Sequence, residues 1–163
     1  VSTVSQQEGG SKMPQFSILA TNHTSFTVSN LDRSIDFYVK VLGFKLLNRS
    51  PRDPSFTEKV VGVPGAQIDV AYIQAPGHRL ELIQYNAPAD RGEVMSRPCD
   101  TGFAHIAFDV DDIDLVVTAV SAAGVEPLSE PVVVNVGPNS GGKAVYTRDP
   151  DGVTIEFIQK KPS

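Results

Sequence analysis

Apolar and polar positions alternate in two widely separated stretches of the chain, and each alternation gives way to helical spacing. In Thr21–Ser29, Phe26 and Val28 alternate with polar neighbours, which predicts a half-buried strand. Leu31, Ile35, Tyr38, Val39 and Leu42 then recur at the interval of a helix face. Asn30 is placed to accept from the first free amides of that helix, and Gly43 to end it in a left-handed conformation. Phe44–Leu47, Gln67–Gln74 and Arg79–Tyr85 read as strands, the last two joined by Ala75-Pro76-Gly77. The same succession returns later. A strand is expected over 102–110, a helix over about 112–123, and strands near 132–136, 143–147 and 153–159. The last two meet through Asp149-Pro150-Asp151-Gly152, a strong turn signal.

The recurrence is an internal repeat. His23 aligns with His105, Phe26 with Phe108, Val28 with Val110, Leu31 with Ile113 and Asp32 with Asp114, all at one offset. Further on, Gly77, Leu80, Glu81, Ile83 and Gln84 align with Gly152, Ile155, Glu156, Ile158 and Gln159. The expected organisation is therefore a lead-in over 1–20 and a single domain over 21–163. That domain holds two βαβββ modules, about 21–86 and 102–160, joined by a linker over 87–101. The lead-in is rich in Ser, Gln and Gly. It reads as flexible, with Met13 as a possible native start and no secretory signal pattern. Each module has one sheet face to bury, so the expected fold is α+β: two tandem modules curled into an incomplete β-barrel with helices outside. Such a fold leaves a concave surface that side chains of both modules can reach.

Composition narrows the class without naming an activity. The 163 residues are 40% hydrophobic and 20% charged, enough apolar material for one buried core. A net charge of −5 argues against nucleic acid or an anionic membrane surface as the main partner. No apolar run reaches the ~20 residues of a membrane span. The lone Cys99 has no partner for an intramolecular disulfide, so a cytoplasmic, reducing compartment is expected.

The repeat pairs identical chemistry at equivalent places. His23 and His105 belong to the opening strands, Glu81 and Glu156 to the closing ones. Each Glu has apolar neighbours on both sides, so strand alternation points it to the opposite face. A carboxylate in mid-strand is costly to bury unless it is paired or bound to a metal. Taken singly, a strand His is ordinarily a satisfied core residue and a strand Glu lies at an exposed edge. Taken together at repeat-equivalent positions, two imidazoles and two carboxylates form a ligand set for a divalent cation. His78 has no repeat mate and is expected to face solvent. Tyr146, with Tyr72 in the matching place, is a candidate hydrogen-bond donor to substrate. Gly137–Gly142 reads as a hairpin loop, or as a lid over the cavity. The Asp-rich stretch 109–114 reads as favourable charge at a helix N-terminus.

Asn22-His23, the run from Val28 through Tyr38, and Leu42-Gly43-Phe44 resemble the first module of the vicinal oxygen chelate superfamily. Gly102–Ile113 and Asp149–Glu156 resemble its second. The superfamily includes glyoxalase I, methylmalonyl-CoA epimerase, extradiol dioxygenases and drug-resistance proteins, and the ligand pattern is most similar to the first two. That resemblance implies a divalent metal (Zn, Ni, Co, Mn or Fe) held by His23, Glu81, His105 and Glu156. It also implies a homodimer and a small-molecule substrate bound through adjacent oxygens. The implied reaction is a lyase or isomerase step through an enediolate, with Glu156 first and Glu81 second as the carboxylate that moves the proton.

Two other activities in the superfamily resemble the chain less. Extradiol dioxygenases, the Fe(II) alternative, use two His and one carboxylate. Bleomycin-sequestering proteins, the non-catalytic drug- or metabolite-binding alternative, bind without metal. The epimerase carries an additional Glu on the strand before Glu81, where this chain offers only Asp69. Arg33, Arg79 and Arg97 are candidates for the arginines that grip a carboxylate-bearing substrate in glyoxalase I.

Overall fold

The computed structural model describes residues 15–161. Two four-stranded sheets form, one from each half of the chain. The first contains β1 (Thr24–Val28), β2 (Lys45–Pro51), β3 (Gln67–Ala75) and β4 (His78–Ala87), in spatial order β1-β4-β3-β2. The second contains β5 (His105–Val110), β6 (Val132–Val133), β7 (Lys143–Arg148) and β8 (Thr154–Gln159), in order β5-β8-β7-β6. In both sheets the opening strand lies parallel to the closing one, and the remaining pairs are antiparallel. The α+β fold and its tandem curled sheets are as the repeat implies. Most of the expected 1–20 lead-in, including Met13, lies outside the described residues.

Local chemistry explains where the helices start. In α1 (Leu31–Asp36), Asn30 is the N-cap and accepts from the Arg33 amide. In α3 (Ile113–Ala122), Asp112 does the same for the Asp114 and Leu115 amides. A glutamine from each closing strand reaches the next free amide: Gln84 accepts from Leu31 N, and Gln159 from Ile113 N. The repeat therefore extends to the capping of its helices. The expected helix over 31–42 departs from regularity halfway. Beyond Asp36 it widens into a π-helical turn over Phe37–Val41, with Leu42 N donating to Phe37 O, and Gly43 then reverses the chain at φ +73°. The widened turn accompanies full burial of Tyr38.

One helix was not expected. Asp53 caps α2 (Pro54–Val61), Pro54 occupies its first turn and Gly62 ends it at φ +69°. Its signals are the ordinary ones, an Asp-Pro start and a Gly stop. The second module has no counterpart, so the repeat drew attention away from it. Several strands also differ at their ends. β1 begins at Thr24, β2 continues to Pro51, β5 begins only at His105, and β6 is a two-residue strand rather than the run over 132–136.

The core forms on the helix-covered side of both sheets. Leu80, Leu82, Ala71 and Ile73 of the first sheet and Val145, Ile155 and Phe157 of the second are buried there. They join Leu31, Tyr38, Ile113 and Val120 in one continuous apolar cluster. Phe44 and Phe108 meet across the modules edge to face, with ring centroids 5.1 Å apart. The opposite face of each sheet is more open, although Ile68 and Val70 of β3, the strand that α2 contacts, are buried on that face of the first sheet, outside this cluster. On these faces Ser25, Thr27 and Ala107 are exposed, and Glu81, Ile83, Glu156 and Ile158 are half-buried. No helix is long and apolar enough to cross a membrane, among the described residues.

Candidate functional site

Register places the candidate residues on these open faces. β1 and β4 pair Ser25 with Glu81, and β3 and β4 pair Tyr72 with Glu81. β5 and β8 pair Ala107 with Glu156, and β7 and β8 pair Tyr146 with Glu156. The histidines stand two residues before Ser25 and Ala107, on the same faces by strand alternation. His23 lies one residue before β1 rather than within it.

Each histidine meets the carboxylate of its own module. His23 Nε2 is 3.1 Å from Glu81 Oε2, and His105 Nε2 is 3.1 Å from Glu156 Oε2. The carboxylates are the more sheltered partners, at 13% and 20% side-chain exposure. His23 Nδ1 lies 2.7 Å from the Asn22 side-chain oxygen, to which a protonated Nδ1 donates. That tautomer leaves the Nε2 lone pair facing Glu81, so two electron donors oppose each other. A neutral imidazole nitrogen beside a carboxylate has the donor chemistry of half a metal site.

A tyrosine attends each pair. Tyr146 Oη is 3.5 Å from His105 Nε2, with the rings 5.0 Å apart, and Tyr72 packs edge to face on His23 at 5.8 Å. A hydrogen bond to Glu81, followed by burial, raises the Tyr72 hydroxyl pKa above its ordinary value. Burial and then the nearby Glu156 charge raise that of Tyr146. Both hydroxyls therefore keep their protons at neutral pH and remain donors.

Within one chain the two pairs stay apart. Among the described residues, no three His, Cys, Asp or Glu side chains come close enough to share one metal ion. The expected four-residue set of His23, Glu81, His105 and Glu156 left open whether one chain or two supply it, and within one chain these side chains form two separate pairs. The physical reason lies in the packing: the modules associate through their helix-covered sides, and the paired residues occupy the other face of each sheet. A groove between the modules, lined by Val41, Phe44, Pro76, Phe108, Leu115 and Phe157, contains none of the four.

Other candidates sort clearly. The Arg79 and Arg52 guanidinium carbons each lie 5.9 Å from the Tyr72 ring centroid, so the first half-site has a cationic flank. Arg52 precedes α2, in the stretch where no element was expected. Arg33 pairs instead with Asp151, and Arg97 with Asp100. Asp69 accepts from Asn86 and lies on the face opposite Tyr72. His78 is half-buried rather than solvent-facing, with Nε2 2.9 Å from the Thr24 hydroxyl. Gly137–Gly142 is a tight connection between β6 and β7, closed by bonds from Ser140 N to Gly137 O and from Gly141 N to Val134 O.

Residues 20–157 match the Glyoxalase/Bleomycin resistance protein/Dioxygenase superfamily. The chain belongs to that superfamily. Among its relatives, the lactoylglutathione lyase of Haemophilus influenzae is 35% identical over 147 residues, covering 85% of this chain and 91% of the relative. A 2-epi-5-epi-valiolone epimerase from Actinomyces is 31% identical over 145 residues, covering 86% and 79%. The crystal structure of a glyoxalase family protein from Bacillus cereus superposes with TM-score 0.80 at 25% identity, covering 93% of this chain and all of that one. The superfamily thus includes relatives named for lyase and for epimerase chemistry.

Proposed function

We propose that two copies of the chain assemble two equivalent metal centres. In each, His23 and Glu81 of one copy meet His105 and Glu156 of the other. Carrying the reading is the twofold recurrence of a 3.1 Å His–Glu pair on an open sheet face, each pair half of a four-donor set. A symmetric pair of chains brings unlike half-sites together twice. His₂Glu₂ supplies neutral nitrogen and anionic oxygen, which suits a divalent first-row cation. Zn, Ni, Co, Mn and Fe all fall within that range.

The proposed activity is a lyase or isomerase step on a small substrate with adjacent oxygens. A divalent cation bound there offsets the negative charge that develops on substrate oxygen. The remaining work falls to the chain's own side chains. Glu156 takes a proton from the carbon beside the carbonyl and returns it, or passes the task to Glu81. Tyr146, protonated and beside His105, donates a hydrogen bond to the substrate. The open sheet face, closed over by the second copy, excludes water.

Metal analysis tests this reading. Wild type is expected to hold about one divalent ion per chain, with two sites shared by two chains, and to turn over an aldehyde–thiol adduct. His105→Ala and Glu156→Ala are each expected to lose the ion. Full metal content in both variants would overturn the site.

A further inference from the structure

The two halves of the molecule match at the candidate site and differ sharply at one turn. Between β3 and β4 the connection is Ala75-Pro76-Gly77, and between β7 and β8 it is Asp149-Pro150-Asp151-Gly152. Both aspartates reach across to the first module. Asp149 Oδ2 accepts from the Tyr38 hydroxyl at 3.0 Å, and both residues are buried. Asp151 Oδ1 accepts from the Ser29 amide at 2.9 Å and from Arg33 Nη2 at 2.7 Å, and its Oδ2 accepts from the Ser34 hydroxyl at 3.1 Å. Among the described residues, every hydrogen bond joining the first module to the second ends on one of these two carboxylates.

The turn is braced before it grips. Asp149 Oδ1 accepts from the amides of Asp151 and Val153, Asp149 N donates to Val153 O, and Gly152 takes φ +86°. Its targets cluster where β1 passes into α1. The rest of the contact between modules is apolar, and apolar attraction holds surfaces together without fixing their angle. Hydrogen bonds and the Arg33 ion pair are directional. On either side of the latch lie the two half-sites, since β7 and β8 carry Tyr146 and Glu156, and His23 precedes the strand that leads to Ser29.

We infer that Asp149 and Asp151, with Tyr38, Arg33 and Ser34, form a latch that holds the two modules at one angle and so aligns the half-sites. These are positioning residues, remote from the reacting atoms. The alignment rests on the proposed two-copy site; the latch itself does not.

The test uses full-length protein in a Cys99→Ser background, spin-labelled through Lys59→Cys in α2 and Thr118→Cys in α3, both exposed. Labelled chains are diluted with unlabelled ones, so that only distances within a chain are read. The latched protein is expected to give one narrow distance distribution, and Tyr38→Phe/Asp151→Asn a broad one. Arg33→Ala, a change at a half-exposed side chain, should broaden it less and covers the case in which the double variant fails to fold. Val120→Ala, which weakens the shared apolar core but removes no hydrogen bond or ion pair of the turn, should leave it narrow. A distribution unchanged in the latch variants overturns the inference, as does equal broadening in Val120→Ala. Co(II) titration is read separately: the latch variants should bind about tenfold more weakly with an altered visible spectrum, as outer-shell changes do, while Val120→Ala binds as wild type. Unchanged Co(II) binding beside a broadened distribution overturns the alignment. A wild type that takes up no Co(II) overturns the proposed site, and the spin distances, which need no metal, still decide the latch.

Discussion

Tyr72 stands opposite Glu81 across β3 and β4, at the same register step that Tyr146 and Glu156 occupy across β7 and β8. Because side-chain direction alternates strictly along a strand, such a match fixes a face as well as a position. A one-residue slip in either module would turn its Glu into the core, where a carboxylate without a partner is strongly disfavoured. The repeat thus preserves a complete triplet of His, Tyr and Glu twice, each on one face of its sheet.

Mixing two inactive variants separates a site shared between copies from one confined to a chain. Glu81→Gln and Glu156→Gln are each expected to be inactive alone. Random reassociation makes half of the pairs mixed, and in each mixed pair one shared site has both glutamates intact. Activity should therefore return to about a quarter of the wild-type value. Sites confined to single chains would leave every site with one lesion, and the mixture would stay inactive. Activity and bound metal, measured on the refolded mixture, read the result.

Tyr146→Phe removes a hydroxyl 3.5 Å from His105 without changing the ring contact. The cation's ligands remain, so metal content should match wild type. Loss of one positioned hydrogen-bond donor is expected to lower kcat by about 10²-fold, the scale seen when a single preorganised donor is removed. An unchanged kcat would reduce Tyr146 to a packing residue.

How much of this was legible in the sequence depends on what the repeat could see. His23, Glu81, His105 and Glu156 stood out because each has a mate, and Asn30 read as a helix cap from its place alone. α2 has no mate and was missed in spite of its Asp53-Pro54 start. Arg52 went with it. The segregation of the four candidate residues into two pairs was not readable, because it follows from which sheet faces the modules turn toward each other. No pattern along one strand encodes that choice. Arg33 likewise read as a candidate substrate grip, and only the tertiary structure gives it Asp151.

Two glycines fail for different reasons when changed to alanine. At Gly43 an added Cβ meets nothing within 4 Å, but the backbone sits at φ +73°. That costs about 1–2 kcal/mol from the left-handed conformation alone. At Gly142 the backbone is ordinary, yet a Cβ would lie 2.3 Å from the Gln159 carbonyl oxygen. The β7–β8 pairing between Lys143 and Gln159 lies beside it, so the pairing of the two central strands must itself give way. Gly142→Ala is expected to lower the melting temperature more than Gly43→Ala and to deplete metal, because Glu156 rides on β8. Equal, small shifts would contradict the close approach.

Stability at acid pH should depend on Asp151. Burial raises its pKa, but hydrogen bonds from Ser29 and the contact with Arg33 outweigh that and leave it below the ordinary carboxylate value. A carboxylate with a lowered folded pKa stabilises the fold above its unfolded pKa, and that contribution is lost as pH falls through the folded value. Its neighbour Asp149 is shifted the other way: burial keeps its pKa raised against the hydrogen bonds it accepts. Asp149 therefore contributes stability at low pH that fades as pH rises through its raised folded value. It is present in both proteins, so a comparison of wild type with Asp151→Asn isolates the first effect. The asparagine retains an acceptor for Ser29 N but loses the ion pair with Arg33, which is 47% exposed. For a pair so open to solvent the loss at neutral pH is about 0.5–1 kcal/mol, or about 1–4 °C in melting temperature. The gap should close as pH drops through and below about 4. Thermal melts of both proteins at pH 7 and at pH 3.5 decide it: a gap of the same size at both would show that Asp151 holds the modules together without its charge.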